Sequence, residues 1–351
     1  GLGFGWQGAL AAVFIAGLIY LLLTFVGLRK YLFHAIPFSL KMGIAAGIGL
    51  FITYIGLQWG GIVASHSVTL TSLGNTHTPV FWLTLFGVLL IAVLKYYKVR
   101  GSILIGMLVL YFACLPLGLV NFQGFIAMPP SIEPTFLKLD FMQLFSKPHF
   151  WEVIFIFLFL NLFDTIGTLI AVSKQGGFLD EKGDLPRLDK ALKADSSSAV
   201  VGSVLGCSTV TSYIESSTGI YAGARTGLAN VFTAMLFLLA LVFSPLIASI
   251  GNGYKISETV TLYPVIAPAL IIVGVMMIKT LKAIDWDDIT EAVPAFLAAI
   301  VMPFSFSITD GIAVGIISYL VINIAAGKYK EIHPLMYVFG ILFILRYVIL
   351  P

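Results

Sequence analysis

Charge is what this sequence has least of. Only 11% of its 351 residues are Asp, Glu, Lys or Arg, whereas soluble domains carry roughly a quarter. That shortage excludes an ordinary water-soluble globule. With 59% hydrophobic residues and a mean hydropathy of +1.02, the chain reads as an all-α polytopic membrane protein. A net charge of +3 is too small to point to nucleic acid, and topology explains the positive residues better. Cysteine is nearly absent. Cys114 and Cys207 both lie in apolar segments, so neither a disulfide framework nor a metal cluster is implied. His34, His66, His77, His149 and His333 are scattered without metal-ligand spacing, and no cofactor is expected. A hydrolase elbow, a metal helix motif and a phosphate loop are also missing. The glycines at 43–49 sit inside an apolar run rather than after a strand, which is not the context of a nucleotide loop. There is no signal peptide and no initiator Met. The expectation is a chain whose start is missing.

What is present is a series of apolar runs, each near the twenty residues that span a bilayer. The spans read as 7–27, 39–58, 78–95, 101–120 and 150–173, then a short pair at 191–206 and 212–225, then 226–250, 260–281, 289–304 and 308–327. A last piece, 335–350, is short and is expected in the membrane interface. Gly43, Gly47 and Gly49 in the second span suit close helix contact.

Loop charge orients the spans. Arg29 and Lys30 follow the first, Lys95, Lys98 and Arg100 the third, and Lys174, Lys182, Arg187, Lys190 and Lys193 the fifth. Lys279 and Lys282, then Lys328 and Lys330, follow later spans, while loops 59–77 and 305–307 have no Lys or Arg. The positive-inside rule places the basic set in the cytoplasm and Gly1 outside. Parity then requires 191–206 to enter the membrane and 212–225 to return. Segments this short meet part-way across, with Ser208–Ser212 at the turn. The Pro-rich loop 121–149 reads as an external cap. Loop 174–195, of mixed charge, reads as a solvated cytoplasmic link.

The turn just placed at depth is the most polar stretch inside the spans. Gly206–Gly219 carries Ser208, Thr209, Thr211 and Ser212, followed by Glu215. A carboxylate in the membrane is costly and marks a functional site by default. Hydroxyl-rich, helix-breaking backbone is tolerated there only when buried in protein or lining a cavity. The pattern is that of a discontinuous helix at a substrate site. A second reading stays open: Ser212-x-x-Glu215 is also a capping box, which would leave Glu215 a purely structural role. In the fifth span, Asn161, Asp164 and Thr168 are spaced i, i+3, i+7 and share one helix face. No Lys or Arg lies within that span to pair with Asp164, so its carboxyl suits proton exchange at a coupling-ion site. Asp310 reads as an N-cap, Glu291 as a first-turn dipole partner, and Asp285, Asp287 and Asp288 as a solvated run.

Four motifs, Asn161–Leu169, Ser208–Ser216, Gly223–Gly227 and Met302–Gly311, together with Ile36–Leu50, resemble the AzgA-like purine permeases. These are the adenine, guanine and hypoxanthine transporters of the nucleobase–ascorbate superfamily, and the likeness runs over essentially the whole chain. The resemblance implies an inverted-repeat fold of seven plus seven segments with core and gate domains and short strand–half-helix elements. It places the broken segment on Ser208–Thr226 and the first three segments before Gly1. It implies a core of 1–27 and 150–250, a gate of 28–149 and 251–334, and an interfacial helix at 335–351. The substrate-binding and proton-coupling carboxylates fall on Asp164 and Glu215, and many relatives have Asp where this chain has Asn161.

The function expected is a secondary active transporter, not an enzyme, in the cell membrane. It would import a purine nucleobase with a proton by elevator-type alternating access. Asn161, Asp164, Thr168, Thr211, Glu215 and the Ile214 backbone would form the pocket. The lipid bilayer and a second copy of the chain are candidate partners. An anion or ion transporter of the same architecture should show a cation facing the site, and 206–219 has none. An intramembrane enzyme would need a nucleophile–base pair or metal ligands within the spans. A non-transporting receptor need not keep two membrane carboxylates.

Overall fold

The computed structural model of the chain describes residues 4–27, 35–178, 185–213, 216–221, 223–257 and 260–349. Its helices are α1 (Trp6–Phe25), α2 (Phe38–Trp59), α3 (Pro79–Tyr96), α4 (Ser102–Cys114), α5 (Phe141–Phe145), α6 (Phe150–Gly176) and α7 (Leu188–Val204). They continue as α8 (Ser216–Tyr221), α9 (Leu228–Ala240), α10 (Ser244–Gly251), α11 (Ala267–Met277), α12 (Ile289–Ser305), α13 (Ile308–Ala325) and α14 (Pro334–Ile349). Among the described residues α1, α2, α3 and α13 are each long and apolar enough to cross a membrane.

The expected spans correspond to these elements, with differences that have physical causes. Span 226–250 is not one helix: α9 and α10 meet at 86°. Pro245 opens α10, where a ring without an N–H cannot continue the preceding helix. Span 260–281 is α-helical only over α11, then tightens into a 3₁₀ stretch, Ile278–Ala283. Two short antiparallel hairpins were not foreseen. One pairs β1 (Val63–His66) with β2 (Leu70–Leu73). The His66 ring nitrogen Nδ1 accepts from the Val68 and Thr69 amides at 3.3 and 3.2 Å and holds that turn. The other pairs β3 (Tyr254–Lys255) with β4 (Thr261–Leu262).

The chain packs as two compact units, one made of Gly1–Gly47, Ser131–Tyr221 and Thr280–Pro351, the other of Ile48–Pro130 and Ala222–Lys279. This is a different partition of the chain from the core and gate boundaries expected above. In the second unit, Val80, Leu110, Tyr111, Cys114, Leu262 and Val265 form a core. There α3 and α11 run parallel. A Cβ on Gly87 would lie 2.7 Å from the Pro268 ring, and eight residues further along each helix the Lys95 ammonium meets the Met276 sulfur at 3.1 Å.

In the first unit, small residues bring helices together. A Cβ on Gly43 would lie 2.6 Å from the Ala295 Cα, and one on Gly47 would lie 2.9 Å from the Ala299 Cα. Gly315 of α13 meets the Ala298 Cβ of α12 in the same way, at 2.7 Å. The Gly43 and Gly47 contacts are backbone on backbone, the association that lipid-embedded helices use in place of hydrophobic burial.

The acidic groups at the helix ends also sort themselves. Ser307, not Asp310, caps α13: its Oγ accepts from the Asp310 amide at 3.2 Å. The Asp310 carboxylate instead receives Arg346 Nη1 at 2.9 Å and the Tyr347 hydroxyl at 2.7 Å. Both donors belong to α14, which also packs Gly340 against Leu320 and buries Met336, Phe339 and Phe343. The C-terminal helix therefore lies antiparallel along α13, with a protein partner over its length. Asp288 is more than part of a solvated run. It caps α12 through Thr290 and pairs with Lys328 Nζ at 3.0 Å. The Thr290 hydroxyl foremost, then Lys328, holds the Asp288 carboxyl down to about 2.

Two outcomes follow. Gly43→Leu should lower detergent thermal stability by about 1–3 kcal/mol, the usual range for overpacking. Gly251→Ala, where a Cβ meets nothing within 4 Å, should leave it unchanged. Because the folded Asp288 pKa is depressed, its contribution is complete above the ordinary 3.8 and is lost as pH falls through about 2. Thermal unfolding of the parent and of Asp288→Asn should therefore differ at pH 5 and converge as pH approaches 2.

Candidate functional site

The site is built within the first unit, where α1, α6, α7 and the segment before α8 converge. Residues 209–213 are non-helical, as the sequence required of the turn. No strand pairs with them among the described residues. Tyr213 is also non-helical, and the capping-box reading of Ser212 and Glu215 falls in part on residues outside those described. Ile214, Glu215 and the side chain of Asp164 lie outside the described residues.

A carboxylate not singled out from the sequence occupies the centre. Asp195, on α7, is 8% exposed. Its Oδ2 accepts from the Thr165 hydroxyl of α6 at 2.7 Å and from the Tyr20 hydroxyl of α1 at 3.1 Å. Its Oδ1 accepts from Ser212 Oγ at 3.3 Å. Three separate segments thus donate to one acidic group. A buried polar group without hydrogen-bond partners would be costly.

The helices approach closely enough for this because of Gly17. A Cβ there would sit 3.3 Å from Val200 Cγ2 and 3.4 Å from the Val200 nitrogen. One turn along α1 from Gly17, Tyr20 is fully buried and reaches Asp195. The phenol is also 2.9 Å from the carbonyl oxygen of Asn161. It carries a single proton, so it can serve the carboxylate or the carbonyl, not both at full strength.

The predicted pocket residues gather around this hub in part. Thr211 joins it through Thr165, hydroxyl to hydroxyl at 3.3 Å. Asn161 is 1% exposed, and its amide Nδ2 has no hydrogen-bond partner. The buried hydroxyl of Thr209 is likewise unpartnered. Thr168 is buried on the Asn161 face of α6. Native proteins satisfy most buried polar atoms, so the two unsatisfied ones stand out. No group of three or more His, Cys, Asp or Glu suited to a metal occurs among the described residues.

In the sequence Asp195 falls where the charged link 174–195 overlaps the span 191–206, directly after Lys190–Lys193, and composition alone does not separate a solvated position from a buried one. The structure starts α7 at Leu188. A signal was there to be read: Leu188, Leu192, Asp195, Ser196, Ala199 and Ser203 recur at helical spacing, and all are buried. If the hub is as described, Asp195→Asn and Tyr20→Phe should each lower thermal stability by about 1–3 kcal/mol. Their double variant should lose less than the sum, with a coupling of roughly 0.5 kcal/mol or more. Additive losses would mean the two side chains do not interact.

Comparison with known proteins gives the site its setting. A family profile described as "Permease family" matches residues 2–314. The guanine/hypoxanthine permease PbuG of Bacillus subtilis is 45% identical over 348 residues, which cover 98% of this chain and 76% of that protein. The adenine permease AdeP of Escherichia coli is 41% identical, over 99% of this chain and 75% of that protein. Among solved structures, the transmembrane domain of a cyanobacterium bicarbonate transporter, BicA, superposes with a TM-score of 0.63. It shares 18% identity and covers 89% of this chain and 77% of that one, which establishes the mostly helical inverted-repeat membrane fold. With a profile match over most of its length and relatives of this identity, the chain belongs to the permease family, beside the adenine and guanine/hypoxanthine permeases.

Proposed function

We propose that this protein is a secondary active transporter that imports purine nucleobases with protons. The observation that carries the reading is the buried polar nest on α1, α6 and α7, in a chain whose relatives are named as purine permeases. A purine is planar and neutral, with donors and acceptors along its edge. The unpartnered Asn161 amide and Thr209 hydroxyl offer hydrogen bonds to such an edge. An unsatisfied buried group costs about 1–3 kcal/mol, which a correctly shaped ligand removes and a poorly matched one does not.

In this reading Asp164 and Glu215 are the principal substrate groups and the proton-coupling pair. Thr168, Thr211 and the Ile214 backbone line the pocket. The core of 1–27 and 150–250 carries the substrate and moves against a gate of 28–149 and 251–334. The anion-transporter alternative gains nothing from the fold match, and the 206–219 stretch offers no cation to hold an anion.

The test is uptake of radiolabelled hypoxanthine, guanine and adenine into cells expressing the full-length protein. Asp164→Asn should abolish uptake while the protein still reaches the membrane. Glu215→Gln should keep its ligand-free thermal stability. It should lose the stabilisation that added purine gives the parent, because the amide would set a donor against a purine N–H and weaken binding about 5- to 150-fold. Purine stabilisation of the Gln variant equal to that of the parent would remove Glu215 from the site.

A further inference from the structure

We infer that the end of the second unit where α3 and α11 terminate is a binding site for the headgroup of an anionic phospholipid. The two helices are parallel, as the Gly87–Pro268 and Lys95–Met276 contacts show, so their C-terminal ends lie together. Lys95 stands in the last turn of α3. Lys98 and Arg100 follow in the tight turn to α4, where Lys98 (φ 55°) and Gly101 (φ 73°) adopt left-handed backbone. Lys279 follows α11 and is the like-charged neighbour of Lys95.

A cation at a helix C-terminus suits the dipole, and basic loops orient membrane proteins. Those effects account for positive charge at this end but supply no counter-charge. Among the described residues no carboxylate pairs with Lys95, Lys98, Arg100 or Lys279. The unit's own sequence offers little help. It holds Lys95, Lys98, Arg100, Arg225, Lys255 and Lys279 against Glu258 as its sole acid. Glu258 lies outside the described residues. The half-buried Lys95 ammonium has three protons to donate, and the acceptor it meets is a thioether sulfur, a weak one.

Position selects lipid over a soluble anion. Tyr96 and Tyr97, 80% and 72% exposed, flank the cluster, and exposed aromatic residues of this kind sit at headgroup level. The helix they terminate presents Trp82, Phe86, Leu89 and Val93 outward, as hydrocarbon contact requires. A phosphodiester at that depth would meet the lysines while its acyl chains lie along α3. Basic clusters between helices on the cytoplasmic side recognise such headgroups.

The experiment compares the parent with Lys98→Gln/Arg100→Gln/Lys279→Gln in nanodiscs of phosphatidylglycerol and of phosphatidylcholine. The parent should retain phosphatidylglycerol through mild detergent, by native mass spectrometry, and unfold at higher temperature in phosphatidylglycerol than in phosphatidylcholine. The triple variant should lose roughly a hundredfold in lipid affinity, about fivefold per charge, and its two unfolding temperatures should coincide. Lys98→Arg/Lys279→Arg should behave as the parent, and Arg187→Gln/Lys190→Gln, elsewhere on the same expected face, should not lose lipid. Equal retention by the triple variant overturns the site, as does a parent indifferent to headgroup. Stabilisation by inorganic phosphate equal to that by phosphatidylglycerol would assign the cluster to a soluble anion and overturn it as well.

Discussion

The structure of the first unit depends on keeping one buried carboxylate supplied with donors. Asp195 cannot turn to water, so hydroxyls must come to it from α1, α6 and the segment before α8. That need fixes several features at once. Gly17 admits α7 against α1, Tyr20 is buried at full length, and the irregular backbone at 209–213 stays close to α6 and α7. In hydrocarbon no solvent could substitute for these partners, so the network specifies geometry more firmly than it would in a soluble protein.

In the same arrangement a phenol with one proton faces two acceptors, and a threonine hydroxyl stands between the carboxylate and Thr211. The unpartnered amide of Asn161 and hydroxyl of Thr209 are polar capacity held in reserve beside that network.

Elsewhere the two units use different means. The first relies on small residues that let α2, α12 and α13 touch along their backbones, and on acid–base links at helix ends, Asp288 with Lys328 and Asp310 with Arg346. The second has hardly any acid of its own and packs through apolar side chains. Its basic end is left to whatever surrounds the protein, which in a bilayer is the headgroup layer.

The membrane class, the order of the spans and the break near Ser208–Ser212 were determined by the sequence alone. Run length, loop charge and crossing parity are properties of composition and order, and they do not depend on which helices touch. The face shared by Asn161 and Thr168 was likewise legible, because helical spacing is local. Only tertiary structure decided that Asp195 is buried, since a charged residue in a short helix looks the same beside water as beside Tyr20 and Thr165. It also decided that Ser307 rather than Asp310 caps α13, because Arg346 and Tyr347, which take the carboxylate away, are more than thirty residues distant in the chain. The 86° bend at Pro245 divides the same way: proline announced a break, and packing set its angle.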